Sequence, residues 1–168
     1  SSAASDVYKR QAKSVGKKVK FLGKDYNIED LETFDFSKVK IAFFAAGSAV
    51  AGKWVPIAAK KTIVIDNSKY FRKDPEIPLI VPEVNSNELS KFKNKNIIAN
   101  ANCSVIPIVV ALKPLHDLYN VKRIVASTYQ SVSGAGKDGM DELISQTRDV
   151  LENKNFTSKN FTKQIAFN

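Results

Sequence analysis

Four short apolar runs, each cut off by a polar or glycine-containing break, constrain this chain more than any other feature. They occupy residues 39–45, 62–65, 97–99 and 121–128. Between them lie longer stretches of helical pattern at 49–60 and about 104–119, and a polar-faced one comes after them at about 137–153. The first runs are largely apolar instead of alternating, which is the pattern of strands buried in a parallel sheet. Strands that alternate with helices predict an α/β fold with a mostly parallel sheet. In such sheets ligands sit at the carboxyl ends of the strands. The breaks at Gly47-Ser48, Asp66-Asn67-Ser68 and Asn102-Cys103 all fall there.

The rest of the chain fits around this frame. Two short apolar stretches flank Gly23-Lys24-Asp25 and predict a hairpin. Pro56 weakens the middle of the first helix, and Pro114 predicts a kink or restart in the second. Residues 69–86 carry Pro75, Pro78 and Pro82 and read as irregular. Residues 154–168 read as a loop that stops without a natural end. Residues 1–11, SSAASDVYKRQ, are unlike the rest of the chain and are left unassigned, as foreign or disordered sequence.

Composition removes several function classes. No apolar run is long enough for a membrane span, and no apolar signal core opens the chain. One cysteine cannot form an internal disulfide, which fits a reducing, cytoplasmic setting. The net charge of +9 invites a nucleic-acid reading. The lysines, however, are scattered singly or in pairs with no interleaved aromatics, so they read as a solvated surface and no nucleic-acid partner is expected. No metal-ligand spacing is present.

Chemistry concentrates at Cys103. Pro107 lacks an N–H and belongs in a first helical turn, which starts the helix near Ser104 and puts Cys103 at its mouth. The positive end of the helix dipole favours thiolate there, and unpaired first-turn N–H groups suit an oxyanion. The polar neighbours Asn102 and Ser104 also set this cysteine apart from an inert core thiol. The lone histidine, His116, lies about 20 Å further along an unbroken helix and cannot serve as its base. It reads as a helix C-terminal residue. Gly134-Ala135-Gly136-Lys137-Asp138-Gly139 matches G-x-G-x-x-G, but no second strand comes after it. It reads as a loop that lets backbone approach a ligand. Arg72, in a proline-stiffened segment, can aim its guanidinium at a phosphate or carboxylate.

An ordered series of segments resembles the aspartate-semialdehyde dehydrogenase family. It runs from Leu31-Glu32-Thr33-Phe34-Asp35-Phe36 through Ala46-Gly47-Ser48-Ala49, Asp66-Asn67-Ser68 and Phe71-Arg72 to Pro82-Glu83-Val84-Asn85. It continues with Asn100-Ala101-Asn102-Cys103-Ser104, Ala111-Leu112-Lys113-Pro114-Leu115, Ser127-Thr128-Tyr129-Gln130 and Ser133-Gly134-Ala135-Gly136, and ends on residues 161–168. The resemblance implies an incomplete Rossmann-like domain over 12–101, followed by the start of an α+β catalytic and dimerisation domain over 102–168.

The resemblance also implies roles. Cys103 would be the thioester nucleophile and Gln130 would orient the substrate. Arg72 and Asn102 would bind inorganic phosphate or the acyl phosphate. Ser133 and Gly134 would contact NADP near the nicotinamide, Gly47, Ser48 and Asn67 would line the same cleft, and Lys13 would stand near the adenosine 2′-phosphate. The full enzyme would be a homodimer or homotetramer. Ala101 departs from the proline usual in the family, and the family's phosphate loop and general-base histidine have no counterpart here. A chain without them is expected to be inactive alone. The alternatives are another phosphorylating acyl reductase of the N-acetylglutamyl-phosphate type, a non-catalytic NADP-binding or nucleic-acid-binding module, and a cysteine hydrolase.

Overall fold

The structure, a computed structural model, describes residues 15–168. It divides into two compact units, one reaching to Lys122 and one from Arg123 to Asn168.

The first unit opens with the expected hairpin. Strands β1 (Lys18–Phe21) and β2 (Lys24–Asn27) pair antiparallel around a two-residue turn. Leu22 and Gly23 both take positive φ, 46° and 77°, the conformation that matches the twist of tightly connected strands. The main sheet comes next. It has four parallel strands in the order β3-β4-β6-β5: β3 (Ile41–Phe44), β4 (Ile63–Asp66), β5 (Leu79–Ile80) and β6 (Ile97–Asn100). Helix α1 (Ser48–Ala58) crosses from β3 to β4 and runs unbroken through Pro56.

The core lies between α1 and one face of this sheet. Val55, Ala58, Val64 and Ala99 are fully buried there. Phe36 stacks on Phe44 at 6.1 Å and meets Phe34 edge-on at 5.1 Å, which closes one end of the core. The apolar run at 39–45 predicts a strand buried on both faces, and this is only half met. Phe44 is buried, but Phe43 is 72% exposed and Ile41 is 48% exposed. The face they line is not covered among the described residues.

Two further expectations are corrected. Residues 69–86 are not wholly irregular. Pro78 sits just before β5 and Pro82 opens the single-turn helix α2 (Pro82–Asn85). Both prolines stand where an N–H is dispensable, at a strand's beginning and a helix's first turn. The run at 121–128 forms no strand. Ile124 and Val125 are exposed, and no described strand pairs with the segment; β propensity without a ladder partner leaves backbone groups unpaired.

Helix α3 (Val105–Tyr119) is continuous through Pro114 and ends on Asn120 at φ 53°, whose N–H donates to the carbonyl of His116. The second unit centres on α4 (Gly136–Leu151), entered through a 3-10 turn at Val132–Ala135. Residues 155–168 fold back along α4 without regular structure. They are held by Glu142 and Gln146, the latter 1% exposed.

Candidate active site

Parallel pairing brings the carboxyl ends of β3, β4 and β6 to one edge of the sheet, and side chains lace them together. At the end of β4, buried Asp66 accepts from the backbone N–H of Ser68 at 3.1 Å and from its hydroxyl at 2.7 Å, which fixes the turn. The N–H of Asn67 then donates to the carbonyl of Phe44 at 2.8 Å, tying this turn to the end of β3. Across to β6, Asn100 Nδ2 donates to Asn67 Oδ1 at 2.8 Å. A cavity of about 440 Å³ opens beside this pair, lined by Phe43, Phe44, Ala45, Ile65, Asn67 and Asn100.

Arg72 reaches into the same edge. Its Nε donates to the carbonyl of Asn100 at 2.8 Å, and Nη2 donates to the carbonyls of Asn67 at 3.1 Å and Ala101 at 3.5 Å. Ala101 is buried at 4% exposure. The turn it belongs to is thus packed and tied through its carbonyl.

Cys103 lies just beyond this turn. Its thiol is exposed and in no disulfide, with Sγ 4.0 Å from Ser104 Oγ. Asn102 builds the helix start around it. Its Oδ1 accepts from the N–H of Ser104 at 3.0 Å, and its carbonyl accepts from Val105 at 2.9 Å and Ile106 at 3.1 Å. Asn102 thus satisfies donors just ahead of and at the helix start, while Ser104, the residue at the N-cap of α3, makes no side-chain cap bond. Pro107 is the third residue of α3, where no N–H acceptor is needed. The expectation of unpaired first-turn donors for an oxyanion is corrected for Ser104, Val105 and Ile106, since Asn102 occupies all three.

Gly47 turns the chain from β3 into α1 at φ 84°, with open space where a Cβ would stand. Ser48 opens α1, which has no side-chain cap. This strand–turn–helix arrangement beside the cavity fits a bound dinucleotide, whose phosphates favour uncapped helix starts and close backbone approach.

The predicted site residues separate by unit. Gly47, Ser48, Asn67, Arg72, Asn102 and Cys103 share the sheet edge of the first. Gln130, Ser133 and Gly134 belong to the second. There Gln130 Oε1 accepts from Thr128 Oγ1 at 3.1 Å. The Ser133 hydroxyl lies 2.8 Å from that of Ser131, and the Gly134 N–H donates to the Ser131 carbonyl at 3.3 Å. Gly134 borders open space, whereas Gly139 is a packing glycine (an added Cβ would lie 2.6 Å from that of Ala135). Lys13 lies outside the described residues. The sequence reading misses Asn100, although a polar residue closing an apolar strand is its visible signal.

Two family models match the chain: a semialdehyde dehydrogenase NAD binding domain over residues 4–92 and a semialdehyde dehydrogenase dimerisation domain over 112–168. The chain belongs to the semialdehyde dehydrogenase family. It is 50% identical over 157 residues to aspartate-semialdehyde dehydrogenase 2 of Vibrio cholerae, an alignment covering 93% of this chain and 47% of that protein. It is 53% identical over 156 residues to the Rickettsia typhi aspartate-semialdehyde dehydrogenase, covering 92% and 46%. Among solved structures, aspartate semialdehyde dehydrogenase II of V. cholerae complexed with ASA superposes with a TM-score of 0.82 at 49% identity, covering 94% of this chain and 47% of the other. The chain spans about half the length of the curated relatives it matches. Among the described residues no helix is long and apolar enough to cross a membrane.

Proposed function

We propose that this semialdehyde dehydrogenase chain carries the nucleophile of an NADP-dependent, phosphorylating aspartate-semialdehyde dehydrogenase. The observation that carries the reading is the exposed Cys103 thiol, in a polar turn between β6 and α3 at the ligand-binding edge of a parallel sheet. The Cys103 sulfur, as thiolate, bonds to the aldehyde carbon of L-aspartate 4-semialdehyde, and the carbonyl oxygen takes a proton. A bound nicotinamide supplies the two-electron acceptor for the oxidation that comes next. Cys103 then holds the acyl group as a thioester. Attack by inorganic phosphate breaks the C–S bond, releases 4-aspartyl phosphate and returns the thiolate. Physiologically the sequence runs in reverse, in lysine, threonine, methionine and diaminopimelate synthesis. Cysteine serves both half-reactions, as a strong nucleophile and a good acyl leaving group.

In this reading Arg72 and Asn102 receive phosphate and Gln130 orients the substrate. Gly47, Ser48, Asn67, Ser133 and Gly134 line the cofactor cleft, and Lys13 stands near the adenosine 2′-phosphate. Residues 12–101 form part of the cofactor domain and 102–168 the start of the catalytic and dimerisation domain of a cytoplasmic homodimer or homotetramer. The aspartate substrate and the dimer are supported by the relatives' names and the matched dimerisation model.

The test replaces the matching half of the V. cholerae enzyme with this chain and follows phosphate-dependent NADPH formation. Cys103→Ser is expected to lower it by at least about four orders of magnitude, as loss of a covalent nucleophile does. A Cys103→Ser chimera that retains the activity refutes the reading.

A further inference from the structure

At the carboxyl edge of the sheet, Arg72 turns part of its guanidinium to backbone. Arg72 directs Nε and Nη2 at the carbonyls of Asn67, Asn100 and Ala101. These carbonyls belong to two different strand ends, and the last of them lies two residues before Cys103. The Asn100–Asn67 amide contact at 2.8 Å ties the same two strand ends a second time. We propose that Arg72 and Asn100 are positioning residues that clamp the 100–103 turn, fixing where Cys103 stands before any ligand arrives. The inference rests on the nucleophile reading of Cys103, but the clamp itself does not depend on the substrate.

The physical argument has two parts. Residues 101–103 lie between the last ladder bond of β6 and the first helical bonds of α3, which the Asn102 carbonyl accepts, so the sheet alone does not fix them. A guanidinium is planar, and its fork can serve several carbonyls at once, whereas an ammonium is a point charge on a flexible stem. Charge matters as well. Three carbonyl oxygens converging on the turn before Cys103 present partial negative charge, and the guanidinium among them offsets it.

Because Cys103 is the sole cysteine, its alkylation reports the turn directly in the full 168-residue chain. The variants are Arg72→Ala, Arg72→Lys and Asn100→Ala, and the readouts are amide hydrogen exchange over residues 101–106 and alkylation by neutral iodoacetamide and anionic iodoacetate. Asn100→Ala is expected to speed exchange at 101–106 about fivefold, the effect of losing one hydrogen bond, while the amides of β3 and β4 stay unchanged. It should leave the iodoacetate-to-iodoacetamide rate ratio intact. Arg72→Ala should speed exchange further and lower that ratio. Added methylguanidinium should restore both, and Arg72→Lys should restore the ratio but not the protection. Exchange at 101–106 unchanged in both Asn100→Ala and Arg72→Ala overturns the clamp, as does failure of methylguanidinium to restore anything in a folded Arg72→Ala chain. None of these readouts requires dehydrogenase activity, so a failed chimera assay and a failed clamp are separate results.

Discussion

Replacing Gln146 with leucine should release the end of the chain around Ile165 and Ala166 from α4 while leaving the helix, and the Glu142 bonds to Lys159 and Asn160, in place. Gln146 is 1% exposed, and both ends of its side chain are used. Nε2 donates to Glu142 Oε1 at 2.9 Å and to Ser158 Oγ at 3.2 Å, and Oε1 accepts from the N–H groups of Ile165 at 2.9 Å and Ala166 at 3.3 Å. Leucine keeps most of the volume but removes every one of these contacts. The two backbone donors then sit against an apolar side chain. A stranded buried donor costs about 1–3 kcal/mol, so two of them cost about 2–5 kcal/mol, with the 3.3 Å bond counting at the lower end. Whole domains are stable by only about 5–15 kcal/mol. The chain escapes this cost by opening locally, because detaching the tail lets water satisfy both amides. Amide exchange at Ile165 and Ala166 should therefore accelerate by about thirtyfold to several thousandfold, at 1.4 kcal/mol per decade, while amides in the middle of α4 keep their protection. Unchanged exchange at those two positions would refute the argument that Gln146 fastens the 165–166 end of the tail. Loss of protection throughout α4 would show that tail and helix unfold as one unit.

Two other outcomes are expected from the structure. Asp74 is held below the ordinary carboxylate range, first by the backbone N–H of Glu76 and then by Lys95. Lys95 is held above its ordinary value by Glu76 and Asp74. Since the folded Asp74 pKa is depressed, its stabilisation is present above the unfolded pKa and is lost as pH falls through the folded one. Since the folded Lys95 pKa is raised, its share is present below the unfolded pKa and is lost as pH rises through the folded one. Lys95→Met should abolish the alkaline limb and move the Asp74 titration only slightly upward in a carbon-detected NMR titration, because the Glu76 N–H remains; a large upward move contradicts that order of causes. Gly139→Ala should destabilise the second unit in thermal unfolding although alanine favours helix by about 1 kcal/mol, because its Cβ would lie 2.6 Å from that of Ala135 and 3.3 Å from the Phe161 ring. Overpacking of this kind costs about 1–3 kcal/mol, and a stabilised variant contradicts it.

The parallel sheet and its helices are legible in the sequence because apolar period and punctuation report burial and chain reversal directly. Pro107 locates the mouth of α3 for a local reason, a missing N–H, and so places Cys103 without any knowledge of the surroundings. Two of the failures, at 121–128 and at Phe43, involve partners remote in sequence. The run at 121–128 has the composition of a strand, yet a strand exists only where another backbone lies beside it. Phe43 reads as buried on the same apolar run as Phe44, but its face is uncovered among the described residues. The 69–86 segment reads as irregular because of its prolines, whereas Pro78 and Pro82 mark the starts of β5 and α2.

The site shows the same division between local and remote information. Asn102 can be read as a polar neighbour of Cys103, but not as the acceptor for three successive N–H groups; that depends on how the 102–106 backbone folds over it. Arg72 can be read as an anion-seeking side chain, but its bonds to Asn100 and Ala101 join residues 28 and 29 positions away. A sequence motif points to a candidate reacting atom because chemistry demands a particular element, in the proposed reaction sulfur. It is silent on what holds that atom still, because backbone carbonyls do the holding and every residue has one. Positioning groups are therefore sought where a long side chain terminates on main-chain oxygens beside a proposed nucleophile, and Arg72 meets that description through three carbonyls at two strand ends.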